Sequence, residues 1–269
     1  MQRDKLSEEP RTATRLPRST DKDAAAGGSI TRARRGTAAP AIRLLLVDDH
    51  AAVREAMRLL LDSLDGIEVV GTAADGREAV AQAEQLLPDI VIMDMVMPGM
   101  NGLEAARRIC KKLQHSRVIM FTAYLEERRL LEALRVGVSG YLWKRADRDE
   151  LQRAIRAVHV GELYLSQDIA DALDIDALLA RARTRDERSA FDLLSARERE
   201  VLQLIAEGEP RREIAEQLCI SVRTVDAHQS HIMEKLHTRS RSDLIRFALE
   251  HQMVGTEPVE AMEGHQLVS

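Results

Sequence analysis

The sequence predicts two domains: an α/β domain with a five-stranded parallel sheet, followed by an all-α domain of four helices. Before Asp149, five short apolar runs alternate with helix-like stretches, which is the pattern of a parallel sheet covered by helices on both faces. After Asp149, apolar residues recur at helical spacing. The chain has 269 residues, enough for two domains of ordinary size.

The composition excludes several classes of protein. Apolar residues make up 45% and charged residues 31% of the chain, a globular balance. The two cysteines, Cys110 and Cys219, lie far apart, which excludes a disulfide scaffold and a clustered cysteine zinc site. No apolar run approaches the roughly 20 residues that a membrane span needs. We therefore expect a cytoplasmic protein without membrane contact. The net charge of −5 does not indicate nucleic acid as a partner, so such a function has to be argued locally.

The α/β domain is predicted at residues 41–160. Its five apolar runs are the expected strands, at 42–47, 67–70, 90–93, 118–121 and 141–143. Helix-like stretches lie between or after these runs, among them 51–64, 76–87 and 151–160.

The remaining segments differ in character from the two domains. Residues 1–40 hold seven arginines and almost no large apolar side chain, so we expect a disordered basic tail. Residues 161–190 are expected to be a helical linker with a helix at about 166–183, and 256–269 a flexible C-terminus.

Polar residues follow four of the five predicted strands. Asp48 and Asp49 come after the first strand, Asp94 after the third, Thr122 after the fourth and Lys144 after the fifth. Ligands of parallel α/β sheets bind beyond the carboxyl ends of the strands, so we expect these side chains to share one rim. Crowded carboxylates need a cation, and their oxygens suit Mg²⁺, while a hydroxyl and an ammonium suit phosphoryl oxygens. The rim therefore predicts phosphoryl chemistry with an aspartate as the acceptor.

Each of these residues also has an ordinary structural interpretation. An aspartate after a strand is most often a turn or helix-cap residue. Five such residues in this chain order, with the turn 97–102 following Asp94, favour the functional interpretation.

The second domain, at residues 191–255, carries helix-capping signals. Ser195 and Glu198 form a capping box that opens the first helix, and Gly208 ends it. Ser240 caps the last helix. The helices between them are predicted at 211–218 and about 222–236, joined by a tight turn at 219–221.

Two short helices joined by such a turn describe a helix-turn-helix. On the second of them, Val225, Ile232 and Leu236 share one face and are expected in the core. The opposite face carries small and polar residues that could enter a major groove, namely Arg223, Asp226, Ala227, Ser230 and Glu234.

The rim residues resemble the receiver domain of two-component response regulators. The matching segments are Asp48-Asp49, 94–102, Phe121-Thr122-Ala123 and 140–144. The resemblance implies a flavodoxin-like fold with strand order 2-1-3-4-5. It also implies that Asp94 is the phosphoacceptor.

The same resemblance implies roles for the other matching residues. Four residues would hold Mg²⁺: Asp49 and Asp94 directly, Asp48 through water, and Val96 through its backbone carbonyl. Thr122 and Lys144 would contact the phosphoryl group, and Tyr141 would be the aromatic residue that turns inward on activation. One departure is Arg145, which follows Lys144 where the family commonly has Pro or Asp.

The helical domain resembles the LuxR-type DNA-binding domain. The matching segments are 194–202, 213–215, 220–228 and 235–236. Joined to a receiver, this domain is similar to that of the NarL/FixJ-type response regulators. Three residues depart from frequent family choices: Cys219 replaces Gly, Gln229 replaces Arg, and Arg211 replaces Asn.

The candidate DNA contacts all lie on the third helix of this domain. They are Arg223, Thr224, Asp226, Ala227, Gln229, Ser230, His231 and Lys235. Residues 192–250 hold nine basic and eleven acidic residues, a net charge of −2, so we expect two copies to be needed for useful affinity on paired half-sites. Asp226 has two interpretations: it accepts a hydrogen bond from cytosine N4 in the groove, or it caps the first turn of its helix.

The expected function is regulation of transcription by a DNA-binding response regulator, which is not an enzyme. A sensor histidine kinase would phosphorylate Asp94, and the protein would bind double-stranded promoter DNA as a homodimer. One alternative is a regulator that works without phosphorylation, through protein contacts; the intact set of rim residues argues against it. The other is a phosphohydrolase with an aspartate nucleophile. Such enzymes place that nucleophile after the first strand, whereas here the isolated acceptor follows the third.

Overall fold

The protein is described by a computed structural model that covers residues 40–123, 126–183, 193–251 and 253. The predicted basic tail before residue 40, part of the predicted linker (184–190) and the predicted C-terminus at 256–269 lie outside these residues.

The first domain is built on a parallel sheet of six strands in the order β2-β1-β3-β4-β5-β6. The strands are β1 (Ile42–Val47), β2 (Ile67–Ala73), β3 (Ile90–Asp94), β4 (Arg117–Thr122), β5 (Gly140–Trp143) and β6 (Tyr164–Leu165). The predicted strand order and parallel direction are confirmed for the first five strands.

The predicted number of strands was wrong by one. β6 has two residues, which pair with Gly140 and Tyr141 of β5. A strand this short cannot produce a recognisable apolar run, so only its pairing identifies it. It also means that the predicted helical linker at 161–190 begins with a strand.

In the described part of the first domain, five helices cover the two faces of the sheet. They are α1 (Ala51–Asp62), α2 (Gly76–Leu86), α3 (Gly102–Lys112), α4 (Glu127–Val136) and α5 (Arg148–His159). Val91 and Met93 of β3 pack in one core with α2, α3 and α4, whereas Ile90 and Ile92 pack in the other with α1 and α5. Alternate residues of a strand point to opposite faces, so a continuous apolar strand supplies both cores.

The segment after β6 forms two helices where the sequence predicted one. They are α6 (Gln167–Ala172) and α7 (Ile175–Arg183), and Leu173 between them has an extended backbone (φ −129°, ψ 147°). Ile169 and Leu178 are buried in the same core as α2, α3 and α4. The described part of the segment therefore packs on the α/β domain.

The second domain has the four predicted helices, α8 (Ala196–Ala206), α9 (Arg211–Gln217), α10 (Val222–Lys235) and α11 (Arg241–Glu250). The capping box of Ser195 and Glu198 is present, and Val225 and Ile232 are fully buried in the core of this domain. Cys219, in the turn before α10, has φ 53°, a left-handed conformation that favours glycine. Within the described residues, no helix is both long and apolar enough to cross a bilayer.

Candidate functional site

Three acidic side chains meet at the carboxyl end of the sheet. Asp48 and Asp49 follow β1 directly, and Asp94 is the last residue of β3, the neighbouring strand. Ligand atoms of these residues and of His50 all lie within 4.8 Å of one another. Asp48 and Asp94 are buried, with 2% and 6% of their surface exposed. The topology thus brings together the carboxylates that the sequence placed at strand ends.

Lys144 lies between two of these carboxylates. Its Nζ donates a hydrogen bond to Asp48 Oδ2 at 2.7 Å and another to Asp94 Oδ2 at 2.8 Å. The backbone N–H of Lys144 donates to the Thr122 carbonyl at 2.7 Å, at the point where β4 and β5 end. The pairing of these strands therefore directs the ammonium group toward the acids.

Burial and charge oppose each other in this cluster. Burial raises the pKa of Asp94; Lys144 lowers it, nearby Asp48 raises it again, and the result stays above the ordinary value. Burial would lower the pKa of Lys144, but Asp94 and Asp48 together raise it. The ammonium is therefore firmly charged, whereas one ammonium does not offset the desolvation of the Asp94 carboxylate.

The donor set fits a divalent cation. Three carboxylates face one ammonium, which leaves a net charge of −2 when all are ionised. Asp49 Oδ1 is shielded from solvent and forms no hydrogen bond, and its nearest basic group, His50 Nδ1, lies 2.8 Å away. Carboxylate oxygens that are crowded and incompletely paired are ligands of the kind that Mg²⁺ prefers.

Thr122 and Tyr141 are buried beside the cluster, each with 1% of its surface exposed. The Tyr141 hydroxyl interacts with the Thr122 side chain, and it lies 3.8 Å from the Met95 sulfur. Burial raises the pKa of Tyr141, so the phenol stays neutral. The Tyr141 ring, which the resemblance implies turns inward on activation, is thus already buried in this structure.

Arg145 is the residue that departs from the family pattern after Lys144. Its guanidinium stacks over Trp143, 4.6 Å from the centre of the ring.

The loop after Asp94 is held close to the acceptor. The N–H of Val96 points to Asp94 Oδ1 at 3.5 Å, and the N–H of Gly102 donates to the Met95 carbonyl at 2.9 Å. A Cβ at Gly102 would lie 1.9 Å from the Asp94 carbonyl oxygen, so only glycine allows this close approach.

This loop is also where the helical domain docks. Gln203 of α8 donates from Nε2 to the Met97 carbonyl at 2.7 Å and accepts from the Asn101 N–H through Oε1 at 2.9 Å. Glu207, one turn further along, accepts from the Gly99 N–H at 2.9 Å. Gln203 was not predicted as a functional residue, because a lone glutamine in an amphipathic helix gives no indication of its partner.

Two buried carboxylates, one from each domain, extend this contact. Glu104 of α3 accepts from Arg108 Nε at 3.1 Å and from Arg199 Nε of α8 at 2.7 Å. Glu200 of α8 pairs with Arg108 and accepts from Arg197 Nη1 at 2.8 Å. Glu104 and Glu200 are 3% and 4% exposed. Ion pairs built on buried carboxylates, Arg199 with Glu104 and Arg108 with Glu200, therefore join the two domains.

The helix predicted to enter the groove, α10, keeps most of its candidate contacts in solvent while the domains are docked. Exposed are Arg223, Asp226, Ala227, Ser230 and His231. Three further candidates are half-buried, namely Thr224, Gln229 and Lys235.

The half-buried candidates already have partners within the domain. Lys235 Nζ bonds both carboxylate oxygens of Glu198, at 3.0 and 2.7 Å, and Gln229 Nε2 lies 3.9 Å from the Met233 sulfur. The Thr224 hydroxyl lies 2.8 Å from that of Ser221, the residue that caps α10. These side chains are less available to DNA than the exposed set.

Comparison with known proteins identifies both domains. The family model of the response regulator receiver domain matches residues 44–156, and that of the bacterial regulatory proteins of the luxR family matches residues 192–248. The chain is 37% identical over 215 residues to the oxygen regulatory protein NreC of Staphylococcus carnosus (strain TM300), covering 79% of this chain and 99% of NreC. It is also 37% identical over 216 residues to NreC of Staphylococcus aureus (strain JH9), with the same coverage.

Solved structures of response regulators are similar as well. A two-component response regulator of the LuxR family from Aurantimonas sp. SI85-9A1 is 38% identical, covers 53% of this chain and 98% of its own, and has a TM-score of 0.48. The response regulator ChrA of a heme-sensing two-component system is 32% identical, covers 80% of this chain and 100% of its own, and has a TM-score of 0.43. The relatedness to NreC, together with the two matching family models, shows that the chain belongs to the NreC-like DNA-binding response regulators of two-component systems, which join a receiver domain to a LuxR-type helix-turn-helix domain.

Proposed function

We propose that a sensor histidine kinase phosphorylates this regulator on Asp94 in the cytoplasm, and that phosphorylation controls promoter binding by the helical domain. The observation that carries the proposal is the position of Lys144, whose Nζ bonds both Asp48 and Asp94. An ammonium fixed beside one buried carboxylate is suited to hold the oxygens of a phosphoryl group that this carboxylate receives.

The Asp94 carboxylate would be the nucleophile. One of its oxygens bonds to the phosphorus of the kinase phosphohistidine, the phosphorus–nitrogen bond breaks, and its electron pair returns to the imidazole. Lys144 stabilises the negative oxygens of the transferred group, and the Thr122 hydroxyl lies on the neighbouring strand, where it can donate to them. The product is an acyl phosphate on Asp94.

The residues assigned to Mg²⁺ are Asp49 and Asp94 as direct ligands, Asp48 through water and Val96 through its carbonyl. The excess of carboxylates over ammonium groups and the lack of a hydrogen bond to Asp49 Oδ1 support this assignment. When bound, Mg²⁺ neutralises charge on the phosphoryl oxygens.

The loop 97–101 is proposed to carry the signal between the domains. It begins three residues after Asp94, and Gln203 and Glu207 form hydrogen bonds with its backbone. A change at Asp94 that moves this loop would weaken the docking of α8 and shift an equilibrium between docked and separated domains. The candidate DNA contacts of α10 are mostly exposed already while the domains are docked, so undocking is not needed to uncover them. The shift would instead change how two copies of the protein pair on DNA.

The functional units are taken as residues 41–160 for the receiver and 191–255 for DNA binding. The net charge of −2 for residues 192–250 supports a requirement for two copies on double-stranded DNA, because phosphate neutralisation by one copy is weak.

The test is incubation of the full chain with Mg²⁺ and acetyl phosphate, followed by intact-mass measurement. We expect one acid-labile phosphoryl group on the wild type and none on Asp94→Asn. Asp62→Asn, a change of an exposed carboxylate on α1, is the matched control and should keep the label. Labelling of Asp94→Asn would reject the assignment, and a wild type that stays unlabelled would favour a regulator that works without phosphorylation.

A further inference from the structure

Arg211 and Asp226 form an ion pair across the helix-turn-helix. Arg211 is the first residue of α9 and Asp226 lies in the second turn of α10, with Arg211 Nε 3.1 Å from Asp226 Oδ1. The side chains are 55% and 50% exposed. The pair therefore lies on the surface that the two helices present to solvent.

The fold does not depend on this pair. The two helices are held by buried apolar residues such as Ile214 and Val225. Ser221 caps α10 by accepting from the Thr224 N–H at 3.1 Å, so the interpretation of Asp226 as a helix cap is wrong. Exposed ion pairs contribute little to folding stability. What the pair affects is the positive charge that this surface presents to DNA, because Asp226 neutralises Arg211.

Positive charge is scarce in this domain, since residues 192–250 have a net charge of −2. Arg211 lies at the start of α9, where a phosphate of the duplex could approach it. Its guanidinium is already paired with the Asp226 carboxylate. To neutralise that phosphate fully, Arg211 has to leave Asp226, and Asp226 is then left close to DNA without a partner, which is unfavourable.

We propose that Asp226 is a selectivity residue that withholds Arg211 from the phosphates of random DNA. This inference rests on the proposed DNA contact through α9 and α10. In the major groove, cytosine presents its N4 amino group, which can donate a hydrogen bond to Asp226. Asp226 then accepts from the base instead of pairing with the Arg211 guanidinium, and Arg211 becomes free to bind phosphate. Recognition of a base and release of a phosphate contact are thereby coupled.

The test is a double-mutant cycle on the full chain, read by fluorescence anisotropy on a random-sequence duplex over a range of salt concentrations. Asp226→Asn should strengthen binding roughly threefold, the effect of freeing one exposed ion-pair partner. The slope of log K against log salt should steepen by about 0.9 per copy, because one more phosphate is neutralised. In an Arg211→Gln background, where position 211 has no positive charge to release, the same change should strengthen binding less and should leave the salt slope unchanged.

The controls separate this inference from general electrostatics. Glu234→Gln removes another exposed carboxylate from α10, and its effect should be the same with Arg211 or Gln at position 211. If Asp226→Asn strengthens binding equally in both backgrounds, simple repulsion of DNA explains it and the proposed role of Asp226 is rejected. If the wild type binds neither random duplex nor a promoter fragment, the proposed DNA contact itself fails, and the inference fails with it.

Discussion

Arg199 and Glu104 form a buried ion pair between the helical domain and the receiver, with Nε 2.7 Å from Oε2 and side chains 10% and 3% exposed. Glu104 lies in the first turn of α3, and its N–H donates to the Asn101 side chain that caps this helix. The pair thus joins α8 to α3, the helix that begins directly after the loop 97–101. Removing one partner of a buried pair is costly because the other charge stays desolvated.

Glu104→Gln is expected to open the docked arrangement. The change removes the charge that faces Arg199 and Arg108, and breaking a buried pair costs about 3 kcal/mol. Small-angle scattering should show a larger radius of gyration for the variant than for the wild type. Glu84→Gln, a change of a more exposed carboxylate on α2, should leave the curve unchanged. Equal curves for wild type and Glu104→Gln would show that the pair does not hold the domains together.

Asp94→Asn is expected to stabilise the receiver at neutral pH without Mg²⁺. The folded pKa of Asp94 lies above its ordinary value, so the ionised carboxylate destabilises the fold. This penalty is complete above the folded pKa, shrinks as pH falls through it, and is absent below the ordinary value. We expect the variant to melt at a higher temperature than the wild type at pH 7, and the difference to shrink as pH falls. Calorimetry of both proteins in the presence of a chelator, from pH 7 down into the acid range, measures this. A variant that melts at a lower temperature than the wild type at pH 7 would contradict the prediction.

Glu198→Gln should destabilise the fold at neutral pH, which is the opposite of the effect expected for Asp94→Asn. Burial would raise the pKa of Glu198, but its hydrogen bonds to Lys235 and Ser195 outweigh burial and lower it. Its ionised form therefore stabilises the fold above the ordinary pKa, and this contribution is lost as pH falls through the folded pKa. We expect the variant to lose about 1–2 kcal/mol of unfolding free energy at pH 7 and less in acid. Urea unfolding at two pH values measures this, and a pH-independent loss would reject it.

Ile232→Ala should disable DNA binding while leaving phosphorylation intact. Ile232 is fully buried in the core of the helical domain, and truncation leaves a cavity that costs about 3 kcal/mol. The receiver has its own cores, so Asp94 should still accept a phosphoryl group from acetyl phosphate. Leu249→Ala, an apolar truncation at an exposed position of α11, is the matched control and should keep DNA binding. Loss of labelling in Ile232→Ala would show that the two domains fold as one unit.

Local patterns in the sequence determined most of the fold and the acidic cluster. Continuous apolar runs identify strands buried on both faces, and the polar residues that follow them must lie at one edge once the strands are parallel. The capping box of Ser195 and Glu198 lies within four consecutive residues, so the start of α8 can be predicted without tertiary structure. Each of these signals involves neighbours in the chain.

The tertiary structure alone decided which polar groups are partners. Glu104 and Arg199 are 95 residues apart, and each has the pattern of an ordinary surface residue of a helix. Lys235 has the sequence pattern of a DNA contact and Asp226 that of a helix cap, and neither pattern indicates the partners that the structure shows, Glu198 and Arg211. The strength of such pairs depends on burial and on the distance between charges, and both are set by how separate elements pack. Hydrophobic periodicity records which face of an element is buried, but not which element covers it.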